Sequence, residues 1–203
     1  MAITTSLKNP AEVANAALVR MGFKLRVGSL FDGSDHASSI LDIYGQTRDQ
    51  MLREYDYDFA EQTAALTLLK FVPTAGYPWD PVSMPPAGWA FEYAFPSNAL
   101  KIRIIQPQPN FLFNPDPQFY PFSEYNDPRF TPPQRVLLSN VQNAQASFTA
   151  RITDPTTWDV AFTDALAIRL AALLGPELTG ADSNRTTIPQ AAGEQATSEL
   201  EQR

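Results

Sequence analysis

Apolar residues recur at helical spacing at both ends of the chain and alternate at strand spacing in its middle. In NPAEVANAALVRMG, Val13, Ala14, Ala17, Leu18 and Met21 share one face. Asn9 is placed to cap, Pro10 suits a first turn and Glu12 stands where a capping box needs it, so the segment predicts a helix over Asn9–Met21 that stops at Gly22. A second stripe, Ala37, Ile40, Leu41, Tyr44, Met51, Leu52 and Tyr55, follows steps of three, four and seven and predicts a long amphipathic helix from Ser34 to Ala60. Near the C-terminus, DPTTWDVAFTDALAIRLAALLG predicts a third helix, capped by Asp154 and opened by Pro155. Its apolar residues cover more than one face, which suits a central, buried helix. IPQAAGEQATSELEQR reads as a weaker, polar fourth helix.

The middle follows a different period. AALTLLKFV, residues 64–72, predicts a strand. In WAFEYAF, Trp89, Phe91, Tyr93 and Phe95 point one way and Ala90, Glu92 and Ala94 the other. Pro96 cannot donate to a ladder, so that strand ends there, and Ser97 or Asn98 caps a short turn before KIRIIQ resumes. Ile102 and Ile104 then share one face, with Lys101, Arg103 and Ile105 on the other. RVLLSNVQNAQASFTARIT predicts two further strands around a turn at residues 139–143.

Proline sharpens this division: 14 of 18 prolines lie between Pro73 and Pro133. The stretch from Gln106 to Gln134 carries Phe111, Phe113, Phe119, Tyr120, Phe122, Tyr125 and Phe130. A long loop with that many aromatics is expected to pack on something, because disordered segments are poor in them. The fold expected is therefore α+β and mainly α. A bundle of three to four helices (residues 8–62 and 154–203) carries a small antiparallel sheet with long Pro/aromatic-rich loops (63–153), within a single domain spanning 1–203.

Composition narrows the function classes. The net charge of −7 speaks against a nucleic-acid clamp, which needs a basic face for phosphate. The absence of cysteine removes disulfides, thiolate metal sites and cysteine nucleophiles together. No apolar run nears the roughly 20 residues that span a bilayer, and MAITTSLKNPAEV has no signal-peptide core. The expectation is a soluble protein assembled in a cytoplasm.

Chemical motifs are sparse. His36, the one histidine, sits just inside the second helix as a solvated residue, and no HxxH, HExxH, GxSxG or GxxxxGK[ST] occurs. No catalytic residue, metal or cofactor is expected. Acids beside aromatics occur at REYDYDFAEQ, with Glu54 and Asp56, and at FSEYNDPRF. Paired acids of that kind are what a glycan hydrolase uses, so a cell-wall or capsular polysaccharide hydrolase is one alternative. A monomeric protein-interaction module is another. Arg48 falls on the apolar stripe of the second helix, either snorkelling to the surface or forming a buried pair, for which Asp164 is the partner expected.

WAFEYAFPSNALKI, FTARITDPTTWDVAFTDALAIRLAALLGPELTG and the helix ending QTRDQMLREYDYDFAEQ occur in an order that resembles the head-to-tail adaptor proteins of tailed bacteriophages, the tail tubular protein A group and related head-completion connectors. The resemblance covers most of residues 8–180, and Asn98 stands where the family commonly has aspartate. It implies a virion protein of the neck, a dodecameric ring of adjoining subunits between the portal ring and the next tail protein or nozzle. DNA would pass through its channel without specific binding. On that basis the segment 183–203, with Glu199, Leu200 and Arg203, is expected to meet the portal. The loops at 77–88 and 106–134, with Tyr77, Trp79, Phe111, Phe113, Phe119, Tyr120 and Phe122, are expected to meet neighbours or the tail.

Overall fold

A computed structural model describes residues 9–73, 78–108 and 120–178. The chain divides into two compact units, Met1–Tyr55 with Ile152–Arg203, and Asp56–Arg151.

The first unit holds three helices among the described residues: α1 Pro10–Arg20, α2 Asp35–Glu54 and α3 Val160–Leu178. Both α1 and α2 pack on α3, whose buried stripe is Phe162, Leu166, Leu170 and Leu174. The signals at the α1 ends act as read. Asn9 Oδ1 accepts from the Glu12 amide at 2.9 Å, and Gly22, at φ +86°, lets the amides of Gly22 and Phe23 close on Val19 and Leu18 carbonyls. Ser34 caps α2 through the Ala37 amide. Two expectations are corrected here. The second helix stops at Glu54, and only a single 3-10 turn, Asp58–Ala60, follows. Asp154 caps a separate 3-10 turn, Pro155–Thr157, while Asp159 accepts from the Ala161 amide at the start of α3. The proline therefore opens a preliminary turn, and the helix takes the next acid as its cap.

The second unit overturns the expected proportions. A small sheet attached to a helical bundle was the expectation; among the described residues there are three helices and seven strands in two antiparallel sheets. The strands are β1 Glu61–Ala65, β2 Leu68–Phe71, β3 Phe91–Ala94, β4 Ala99–Pro107, β5 Phe122–Asp127, β6 Gln134–Ser139 and β7 Ala144–Ala150. One sheet has the order β1-β7-β4 and the other β2-β3-β6-β5. Sequence neighbours repeatedly part company. The run read as one strand over residues 64–72 breaks at Leu66–Thr67, and its halves join different sheets. The break is itself bonded on both sides: the Leu66 amide donates to Ala144 O at 2.9 Å, and Thr67 O accepts from the Ala94 amide at 2.8 Å. The Pro96–Asn98 corner and the Asn140–Asn143 turn, with Asn143 at φ +50°, also link one sheet to the other. The expected long loop at 106–134 contains β5, which pairs in register with β6.

Alternation also fails at one strand for a defined reason. The β4–β7 register slips between Ile102 and Ile104. A bulge reverses the inside and outside faces beyond it. Ile102 and Ile105 are consequently buried together, and Ile104 faces out.

Candidate interaction sites

Two places concentrate unusual chemistry, one in each unit. In the sheet unit, four charged side chains meet. Lys70 on β2 lies directly across from Glu92 on β3, and Asp127 ends β5. The Glu92 and Asp127 side chains are wholly buried. Lys70 Nζ donates to Asp127 Oδ2 at 2.9 Å and stands 3.8 Å from Glu92 Oε1. Arg129 spans the group: Nε to Asp127 Oδ1 and Nη2 to Glu92 Oε2, both at 2.7 Å. Its Nη1 donates to the Pro81 and Met84 carbonyls at 2.8 and 2.6 Å.

These charges form an internal strut. Burial alone would raise the Asp127 carboxyl, but the donors of Arg129 and Lys70 more than offset it and hold it far below the usual carboxylate range. Burial, with the neighbouring Asp127, instead pushes Glu92 up, against the pull of Lys70 and Arg129. Glu92 Oε1 has no hydrogen-bond partner among the described residues. Through Arg129 the strut fixes the turn after Asp80, whose carboxylate accepts from the Val82 and Ser83 amides at 3.1 Å. That turn presents Val82, 73% exposed, and Trp79, 51% exposed, whose indole donates to Pro85 O at 2.9 Å. Strand β2, which supplies Lys70 and forms an edge of its sheet, exposes Leu68 and Phe71.

In the helical unit, a cavity of about 540 Å³ opens between α2 and the connector that follows α1. Asn15 holds that connector by two bonds to Val27, at 3.0 and 2.8 Å, and Asp32 closes the turn by accepting from the Gly28 and Ser34 amides at 3.0 Å. The turn projects Phe31, 81% exposed, at the cavity rim. Leu41, Tyr44, Gly45 and Arg48 of α2 form the opposite wall.

Arg48 does not meet Asp164. Its Nε and Nη2 both donate to Asp49 Oδ1, at 2.8 and 2.6 Å. Asp164 pairs instead with Arg20, and its side chain is 59% exposed. The expected buried pair is thus replaced by a local one, Arg48 with its neighbour Asp49, and by an exposed one that ties α1 to α3, Arg20 with Asp164. The acids proposed for glycan hydrolysis are also engaged. Glu54 accepts from Arg169 at 2.9 Å, a bond that lowers its pKa, and Asp56 accepts from Lys101 at 2.9 Å. His36 stacks edge-on against Phe23, ring centres 5.2 Å apart.

Of the expected contact residues, Trp79 is exposed as described, and Tyr120 and Phe122 are half-buried, Phe122 as the first residue of β5. Tyr77, Phe111, Phe113, Phe119, Glu199, Leu200 and Arg203 lie outside the described residues. Sequence reasoning missed the four-charge strut altogether. Its only local traces are a glutamate inside the apolar FEYA strand and the acid-basic pair in NDPRF. Among the described residues no group of His, Cys, Asp and Glu is arranged to hold a metal, and no helix is long and apolar enough to cross a membrane. A scan against protein-family models finds no match, and neither does a search of curated proteins.

Proposed function

We propose that this chain is a structural virion protein of a tailed bacteriophage, an adaptor that stands as a dodecameric ring between portal and tail and continues the DNA channel. The observation that carries the reading is the pairing of chemically spent charges with open apolar side chains. Each acid offered for hydrolysis is held by a cation, whereas Phe31, Trp79 and Val82 stand exposed on turns that internal bonds keep in place. Exposed apolar groups on a fixed scaffold are what a contact protein uses. The sequence resemblance supplies the biological setting. The net charge of −7 suits a wall past which phosphate must slide without sticking.

The sheet-unit turn is the part proposed to meet a neighbouring subunit or the tail. Trp79→Ser with Val82→Ser tests it. The expected subunit is folded, with its far-UV spectrum and melting cooperativity kept, but fails to recruit the next tail component onto portal-bearing heads. Undiminished recruitment would remove the turn from the interface.

A further inference from the structure

We propose that the cavity of the helical unit is a groove for an acidic, apolar segment of a partner protein, seating a large apolar side chain over Gly45 and a carboxylate on Arg48. Four observations converge on that occupant. First, the α2 wall runs Leu41, Tyr44, Gly45 and Arg48, the one-face spacing that frames a groove along a helix. At Gly45 a Cβ would meet no atom within 4 Å, so the wall has a dent rather than a contact. Glycine inside a helix costs about 1 kcal/mol relative to alanine, and here no neighbour fills the space it leaves.

Second, the volume of about 540 Å³ exceeds any single side chain and lies within the usual range for bound ligands. A metabolite pocket would enclose most of its ligand; this one keeps its rim aromatic, Phe31, 81% exposed. An exposed aromatic at the rim of an open apolar groove fits a peptide lying across it.

Third, the wall holds a cation with donors to spare. The Arg48 side chain is only 11% exposed, and Asp49 takes one edge of its guanidinium through a single oxygen. The pair with Asp49 engages Nε and Nη2 and leaves Nη1 outside it. A guanidinium partly shielded from water binds a carboxylate by charge-assisted bonds stronger than neutral ones. Fourth, the hydroxyl of Tyr44, one turn earlier, is buried with no partner among the described residues, a second unused donor in the same wall. The site stands on this geometry alone, so failure of the adaptor reading leaves it intact.

Display of random peptides of about 12 residues, long enough for three helical turns, tests it directly, with counter-selection against Gly45→Leu. The expected families carry Asp or Glu within about one helical turn of Leu, Met, Phe or Trp. A synthetic peptide of the leading family should bind about 10-fold more weakly to Gly45→Leu and to Arg48→Gln, and its acid-to-amide version should lose a similar factor on the wild type. Melting temperatures of both variants are measured alongside, and a variant that melts early is replaced by Gly45→Met or Arg48→Met. Tyr44→Phe should melt no earlier than wild type, since no bond is lost. No enrichment, families without an acid, basic families, or equal binding to Gly45→Leu would each overturn the proposal. So would 4-phenylbutyrate binding as tightly as the peptide, because the groove would then be a small-molecule site.

Discussion

Arg129→Met is the most informative single change in the sheet unit. Methionine keeps much of the apolar stem but removes the guanidinium that bridges Glu92 and Asp127 and holds the Pro81 and Met84 carbonyls. Lys70 is then the one cation of the strut left for two carboxylates, bonded to Asp127 at 2.9 Å and 3.8 Å from Glu92. Each lost charge-assisted bond is worth about 1.5–3 kcal/mol, and breaking a buried ion pair from one side costs about 3–5 kcal/mol. The two bonds to the buried carboxylates alone come to about 3–6 kcal/mol, and the Pro81 and Met84 carbonyls can turn to water, so a loss of about 3–5 kcal/mol is expected. For a chain of 203 residues, at about 2–4 °C per kcal/mol, the melting point should fall by roughly 6–20 °C. Urea and thermal unfolding followed by tryptophan fluorescence and circular dichroism measure it. Adding Glu92→Gln should return part of the loss, with a coupling of about 0.5–3 kcal/mol, since the carboxylate stranded by Arg129→Met is then neutral. A loss under about 1 kcal/mol, the scale of an exposed pair, with no coupling to Glu92, would refute the strut.

Two further outcomes follow from the same geometry. The Glu92 carboxyl is raised above its usual 4.5 in the fold, so its contribution is complete below that value and is lost as pH rises through the folded pKa. Asp127, lowered from 3.8, acts oppositely, stabilising above that value and losing its contribution as pH falls. Glu92→Gln should therefore gain stability relative to wild type as pH is raised from about 4 to 7, and an unchanged difference across urea melts in that window would contradict it. At the β4 bulge, Ile105→Ala should cost about 2–5 kcal/mol, whereas Ile104→Ala, on the exposed face, should stay near 0.5 kcal/mol. Equal losses would mean that the strand does not change faces there.

The helical unit was legible where its instructions are local. Asn9, Gly22 and Ser34 act within a few residues of themselves, and all three work as their identities suggest. The end of α2 was not legible, because Tyr55, Tyr57 and Phe59 continue an apolar pattern after the helix has stopped. The sheets were the larger failure, for a physical reason. Strand pairing is non-local, and short breaks such as Leu66–Thr67 leave no proline or glycine to announce that the next residues belong to another sheet. The aromatic stretch at 106–134 hid β5 because prolines surround it. Arg48 was read as a charge among hydrophobes and assigned to Asp164, whereas it bonds Asp49: periodicity gives the face of a residue and not what stands opposite. The strut draws on Lys70, Glu92, Asp127 and Arg129, spread over three strands and a turn. No local window contains it.

An adaptor works by joining other proteins. Mass by multi-angle light scattering, for the protein alone and then with the cognate portal ring, decides whether this chain does so. A stoichiometric complex with the portal, one adaptor chain per portal subunit, is expected. A protein that keeps its own mass and leaves the portal's mass unchanged would contradict the adaptor reading, and glycan hydrolysis would then be tested, with Glu54 and Asp56 variants as controls.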